Sequence, residues 1–208
     1  MRENQAPERR GRGRRPAVEV RSAVLGAAAD QLFEGGLAEV TFEKVASRAG
    51  ASKMTLYKWW ATPGALALEA YSAAVQETLA FSDTGDLAQD LVLQLRAFVR
   101  LLTEERTGRV VAELIGAAQS DPDLSAELRR HYTRPRRQLA VDTLERARAR
   151  GELRDEVDLE VVVDQLWGAC YQRFLLPDQA LTAGFADALV ENLLRGIACP
   201  LPGRGGRC

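Results

Sequence analysis

Apolar side chains recur at helical spacing along most of the chain, and strand-forming residues are concentrated nowhere. Val20, Val24, Ala27, Ala28 and Leu32 mark a first helix that Pro16 allows to begin, that runs to about Glu34, and that Gly35-Gly36 stops. Thr41 has the position and chemistry of an N-cap for a helix from Phe42 to Ala49, with Glu43 in its first turn and Val40 and Val45 placed as a hydrophobic staple. Gly50 follows as a turn residue. Ser52 caps a short third helix through Trp59, and a fourth runs from Pro63 to about Phe81. Ser82-Asp83-Thr84-Gly85 breaks the pattern. Beyond it the periodicity predicts helices over 86–104, 109–119, 123–133, 136–150, 159–175 and 181–197. Asp121-Pro122 starts one of them, Pro135 interrupts another, Gly151 ends one, Asp158 caps the next and Pro177 separates the last two. The pattern describes an all-α chain of about nine to ten helices.

Composition narrows the functional classes. The 208 residues are 46% hydrophobic, enough for a buried core outside the termini. Residues 1–16 are polar, glycine-rich and arginine-rich, a disordered basic arm with no apolar stretch or cleavage pattern of a secretory signal. No segment is apolar for long enough to span a bilayer, so a cytoplasmic protein without a membrane partner is expected. Three cysteines (Cys170, Cys199, Cys208) and one histidine (His131) form no metal-ligand or disulfide pattern, and neither a cofactor nor a metal is expected. Nothing basic flanks Cys199 closely enough to activate it for redox sensing. Net charge is −1, but residues 1–62 hold eleven Lys/Arg against seven Asp/Glu, which gives a basic head on an acidic body. All three lysines (Lys44, Lys53, Lys58) fall in that head.

The segment 42–61 carries the chemistry. Two crossed helices joined by a tight turn need a small residue at the crossing and a glycine where the chain reverses. Ala46 and Gly50 meet those needs, and Val45, Ala49, Ala51, Leu56 and Trp59 anchor both helices. That leaves Lys53, Met54, Thr55, Tyr57 and Lys58 pointing outward, and no acid occurs between Glu43 and Glu69. A surface that meets phosphate has this character. An ordinary helical hairpin shares the spacing, but not the combination of both caps, absent acids and basic arm.

With these residues in view, the stretch from Val20 to Tyr71 resembles the DNA-binding domain of TetR-family transcriptional regulators, in AADQLFEGG and in VTFEKVASRAGASKMTLYKWWATPGALALEAY. Two departures stand out: Thr62-Pro63 where Ser-Lys or Asn-Lys is more usual, and Trp59-Trp60 where His-Phe or Arg-Trp is common. The rest resembles the family in architecture, and GELRDEVDLEVVVDQLWGACYQRFLL looks like its penultimate helix. The resemblance implies a DNA-binding domain over 17–62, a helical ligand-binding and dimerisation domain over 63–198, and a flexible tail over 199–208. It implies that Ser52, Lys53, Met54, Thr55, Tyr57 and Lys58 form the recognition surface, with Tyr57 and Lys58 near phosphates and Met54 near a thymine methyl. Thr41 and its helix N-terminus would meet a phosphate, and Arg12, Arg14 and Arg15 would enter the minor groove.

Such motifs act as two-fold dimers on paired half-sites, which makes double-stranded operator DNA and a second copy of the chain the expected partners. The last two helices offer apolar faces for dimerisation, with Leu166, Cys170, Phe174, Phe185, Leu189 and Leu193 as candidates. The same faces could instead complete the chain's own core. Phe98, Leu102, Leu114, Tyr132, Trp167 and Tyr171, with Gln119 and Gln138 as polar groups, are candidate walls of a pocket for an apolar or amphipathic small molecule. Aromatics at helical spacing are also simply core. The expected function is a transcriptional regulator, a repressor released by its ligand. An enzyme would need a nucleophile–base pair, a metal cluster or a phosphate loop. A helical adaptor whose head binds protein is the other alternative.

Overall fold

Side-chain caps set the starts of most of the helices. In the computed structural model, which describes residues 15–197, Thr41 Oγ1 accepts from Lys44 N at 3.2 Å, Ser52 Oγ from Thr55 N at 3.2 Å and Thr62 Oγ1 from Ala65 N at 3.1 Å. Asp86, Asp121 and Asp158 cap three later helices in the same way. The described residues contain ten α-helical segments and no strand. They are α1 (Ala17–Gly35), α2 (Phe42–Ala49), α3 (Lys53–Trp59), α4 (Pro63–Val75), α5 (Leu87–Thr103), α6 (Glu105–Ser120), α7 (Pro122–Leu128), α8 (Arg134–Ala149), α9 (Leu159–Leu175) and α10 (Ala183–Ile197). A 3₁₀ turn, Leu37–Glu39, precedes α2.

Helices α1, α2 and α3 form a small head, and α4 packs lengthwise on α1. Helix α4 also meets α7 and the turn that follows it, while α6 also touches α1. Helix α5 is the axis of the body, with α6, α8, α9 and α10 packed around it. One hydrophobic core runs through both parts, from Val24 in α1 to Val190 in α10.

Three boundaries differ from the sequence expectation. Helix α4 ends at Val75 rather than near Phe81. The chain turns there so that Leu79 enters the core, and the Leu79 carbonyl accepts from Gln94 Nε2 at 2.8 Å and from Arg136 Nη1. Tertiary donors replace the helical ones. Helix α6 begins at Glu105, not 109, directly after α5. Pro135 separates nothing. Helices α7 and α8 run into each other through a π-helical turn, Arg129–Thr133, with Pro135 in the first turn of α8. Proline offers no N–H to the carbonyl four residues back. That carbonyl, on His131, accepts instead from Ser72 Oγ of α4 at 2.6 Å.

Gly50 has φ 61° and ψ 37°, the left-handed conformation expected of the residue that turns α2 into α3. A β-carbon there costs roughly 1–2 kcal/mol. Gly50→Ala is therefore expected to lower the unfolding free energy by about that amount, read from a urea titration; an unchanged midpoint would contradict the strain argument.

Candidate nucleic-acid interface and core cavity

Crossing of α2 and α3 depends on small and apolar side chains. Val45, Ala46, Ala49 and Leu56 are buried, as the motif requires. Trp59, expected in this core, is only half-buried, and the adjacent Trp60 supplies the buried ring. The reason is direction: Trp60 follows the last residue of α3 and turns back toward α4. Its Nε1 donates to Glu69 Oε2 at 2.7 Å, Arg21 binds Glu69 Oε1 at 2.6 Å, and the Arg21 guanidinium lies 4.7 Å from the Trp60 ring centroid. This cluster of Arg21, Trp60 and Glu69 ties α1, the end of α3 and α4 together. Its spacing of nine between Trp60 and Glu69 gives no sequence signal.

Helix α3 stands at the surface. Ser52, Lys53, Met54, Tyr57 and Lys58 are exposed, Met54 to 76% and Tyr57 to 60%, which is unusual for large apolar or aromatic groups. Thr55 is half-buried, its Oγ1 2.8 Å from Ser52 Oγ, so it faces outward less than its neighbours. The Tyr57 ring stands edge-on to buried Phe42, centroids 4.8 Å apart, which fixes the direction of its hydroxyl. Among the described residues Lys58 has no ion-pair partner, whereas Lys53 Nζ sits 2.5 Å from Glu43 Oε1. The Lys53 ammonium also holds the Glu43 carboxyl below its usual pKa. The acid-free run in the sequence ends at Glu43, and folding brings that carboxylate back onto the exposed helix. Arg15 lies at the mouth of an open cleft between α1 and α3, where its Nη1 donates to the Ala49 carbonyl at 3.4 Å. Arg12, Arg14, Cys199 and Cys208 lie outside the described residues.

The body contains a cavity of about 220 Å³ between α5, α8 and α9. Four of the expected wall residues line it: Phe98, Tyr132, Trp167 and Tyr171. The other four do not. Leu102 and Leu114 are buried core side chains on other faces of α5 and α6. Gln119 and Gln138 are exposed, bonded to the Ile115 carbonyl and to Asp142 respectively. The polar lining comes instead from Thr133, Arg136, Arg137 and Asp164. Arg136 follows Tyr132 by four residues and shares its helix face. That spacing was the available signal, but it was hidden among five arginines between Arg129 and Arg137. Beside the cavity, the Tyr71 ring of α4 packs on Tyr132, centroids 5.4 Å apart. Helix α4 thus touches the cavity wall through Tyr71 and the π turn through Ser72, while its Glu69 holds the head.

Two residues expected at a dimer surface are not there. Leu166 and Cys170 are fully buried within the protomer, because they face α5 and the cavity side of α9. Burial raises the Cys170 thiol pKa to about 12, which leaves it unreactive. Phe174, Phe185, Leu189 and Leu193 are half-buried, and the outward stripe of α9 runs through Val161, Gln165, Gly168, Gln172 and Leu175 to Leu176. Val161 (49%) and Leu176 (61%) are exposed large apolar groups on that stripe.

A two-helix motif with a protruding, base-bearing second helix on an all-helical body defines a DNA-binding transcriptional regulator. Residues 24–70 match the domain described as bacterial regulatory proteins, tetR family, and residues 81–193 match the tetracyclin repressor-like C-terminal domain. The chain belongs to the TetR family of helix-turn-helix transcriptional regulators. It is 37% identical over 186 residues to the HTH-type regulator YdeS of Bacillus subtilis (strain 168), covering 89% of this chain and 93% of that one. It is 32% identical over 186 residues to the DNA-binding transcriptional repressor TetR of Mycobacteroides abscessus, covering 88% and 96%. The crystal structure of the TetR family regulator SCO0332 superposes with a TM-score of 0.81 at 52% identity, over 88% of this chain and 100% of that one. Among the described residues no helix is long and apolar enough to cross a membrane.

Proposed function

We propose that the chain is a cytoplasmic, homodimeric repressor that releases its operator when a small molecule enters the cavity between α5, α8 and α9. The observation that carries the DNA-binding half is the surface of α3, where Lys53, Met54, Tyr57 and Lys58 are exposed together on a helix without an acid of its own. In this reading Met54 and Thr55 meet base edges, Lys53, Tyr57 and Lys58 meet phosphates, and Ser52 and Thr41 sit at capped helix starts facing the backbone. Arg15, with Arg14, would contact the minor groove in this reading. The protomers meet through the outward stripe of α9 and the Phe185–Leu189–Leu193 face of α10, which would place two α3 helices on half-sites about 34 Å apart.

Release is a population shift. The ligand favours a conformation in which α4 carries the two heads to a separation that no longer matches successive major grooves. Contacts of α4 with Tyr132, with the His131 carbonyl and with the Trp60–Arg21 cluster give it the connections of a lever.

The test is fluorescence anisotropy with the duplex upstream of the chain's own gene. Saturable binding of two protomers per duplex is expected, with affinity falling steeply as salt rises; a flat salt response would contradict a phosphate-tracking surface. Glu43→Gln adds a sharper expectation. Freeing Lys53 from its carboxylate should strengthen duplex binding a few-fold and increase the log–log salt slope by about 0.9 per protomer. An unchanged slope would place Lys53 away from phosphate.

A further inference from the structure

The cavity has a polar pocket that is rich in donors and poor in acceptors. Arg136 is partly buried against it, its guanidinium 5.8 Å from the Phe81 ring centroid and its Nη1 on the Leu79 carbonyl. No carboxylate lies within ion-pair distance of Arg136 among the described residues, in contrast to Arg137, which binds both Glu160 and Asp164. A partly buried cation without a counter-charge carries a desolvation cost. Three phenols surround it. The Tyr132 and Tyr171 hydroxyls are 3.5 Å apart, the outer limit of a hydrogen bond, and the buried Tyr71 hydroxyl has no partner. Burial raises the pKa of all three, so at neutral pH they are neutral donors. The Leu79 carbonyl, the acceptor that Arg136 reaches, also takes Gln94. Asp164, at the exposed rim, is committed to Arg137 at 2.6 Å.

We infer that the effector is a compact aromatic or alicyclic carboxylate, its anionic head bound by Arg136 and the Tyr132–Tyr171 hydroxyls and its ring held between Phe98 and Trp167. This rests on the sensor reading of the same cavity. A carboxylate supplies the counter-charge and the acceptors that the protein omits, and a guanidinium takes it with two parallel N–H donors. The volume of about 220 Å³ falls below the roughly 300–1,000 Å³ of sites for larger ligands, which limits the occupant to about one ring and a short side arm.

The test uses the full-length protein and isothermal titration with benzoate and cinnamate, their neutral amides benzamide and cinnamamide, and the cation benzylamine. The acids are expected to bind at least tenfold tighter than the amides. Arg136→Gln should bring that ratio close to one while leaving amide affinity in place. Should Arg136→Gln fail to fold, Asp164→Asn serves: removing the rim charge should strengthen acid binding several-fold and leave the amides unaffected. Equal binding of acid and amide, or a preference for benzylamine, would overturn the carboxylate assignment, and an acid preference that survives Arg136→Gln would overturn the role of Arg136, while the cavity remained a sensor. If none of the five enters the cavity at millimolar concentration, the sensor reading itself falls with it.

Discussion

Replacing Lys53, Tyr57 and Lys58 together with alanine is expected to weaken specific duplex binding by about 1,000-fold or more, with unfolding free energy nearly unchanged. The first part follows from counting contacts. Each protomer loses three groups that stand exposed on α3, a dimer loses six, and single contacts of this kind contribute roughly 1–3 kcal/mol. The sum, about 6–18 kcal/mol, is as large as the gap of about 4–10 kcal/mol that separates specific from non-specific binding, so affinity falls toward the non-specific floor. The second part follows from exposure. None of the three closes the core, and the packing lost with Tyr57 is one edge-on ring contact with Phe42. Losing two lysines per protomer should also reduce the log–log salt slope by as much as about 3.6 per dimer. Anisotropy at several salt concentrations reads both quantities, and wild-type affinity in the triple variant would remove α3 from the interface.

Gly108→Val is expected to lower stability by about 3 kcal/mol, a drop in Tm on the order of 10 °C for a chain of this length. A β-carbon at Gly108 would lie 2.3 Å from the Leu102 carbonyl oxygen and 3.5 Å from the Phe174 ring. Backbone cannot swing aside as a flexible side chain does, so the junction of α5 and α6 must open. Removing a helical glycine ordinarily gains up to about 1 kcal/mol, and the clash outweighs that gain. Calorimetry on the variant checks the sign. A neutral or raised Tm would mean that α5 and α6 do not pass this closely.

Gly108 also shows where sequence reasoning stopped. The helix expected from 109 starts at Glu105, and nothing local in the sequence shows that the α5 backbone lies against Gly108. The head was legible for the opposite reason. Its signals are local: Thr41 and Ser52 cap within three residues, Gly50 turns the chain, and Ala46 makes room at the crossing. The acid-free run was legible as well, but Glu43 returning to Lys53 was not, since a side-chain pair across the motif follows from the crossing angle rather than from order along the chain. In the body, aromatic positions identified four of the eleven residues that line the cavity. Nothing in the sequence separated Arg136, which is partly buried without a carboxylate, from Arg137 beside it, which is paired twice. Leu166 and Cys170 fell on the wrong side of α9 because that helix is apolar around much of its circumference, and only packing against α5 decides which stripe is inside.

The outward position of α3 on the duplex can be read directly by placing a photo-crosslinking residue at Met54 and irradiating the complex with upstream DNA. The account predicts efficient covalent capture of the duplex at Met54, and none from the same probe at Leu139, another exposed apolar site, on α8. A stable complex that crosslinks from Leu139 and not from Met54 would contradict it.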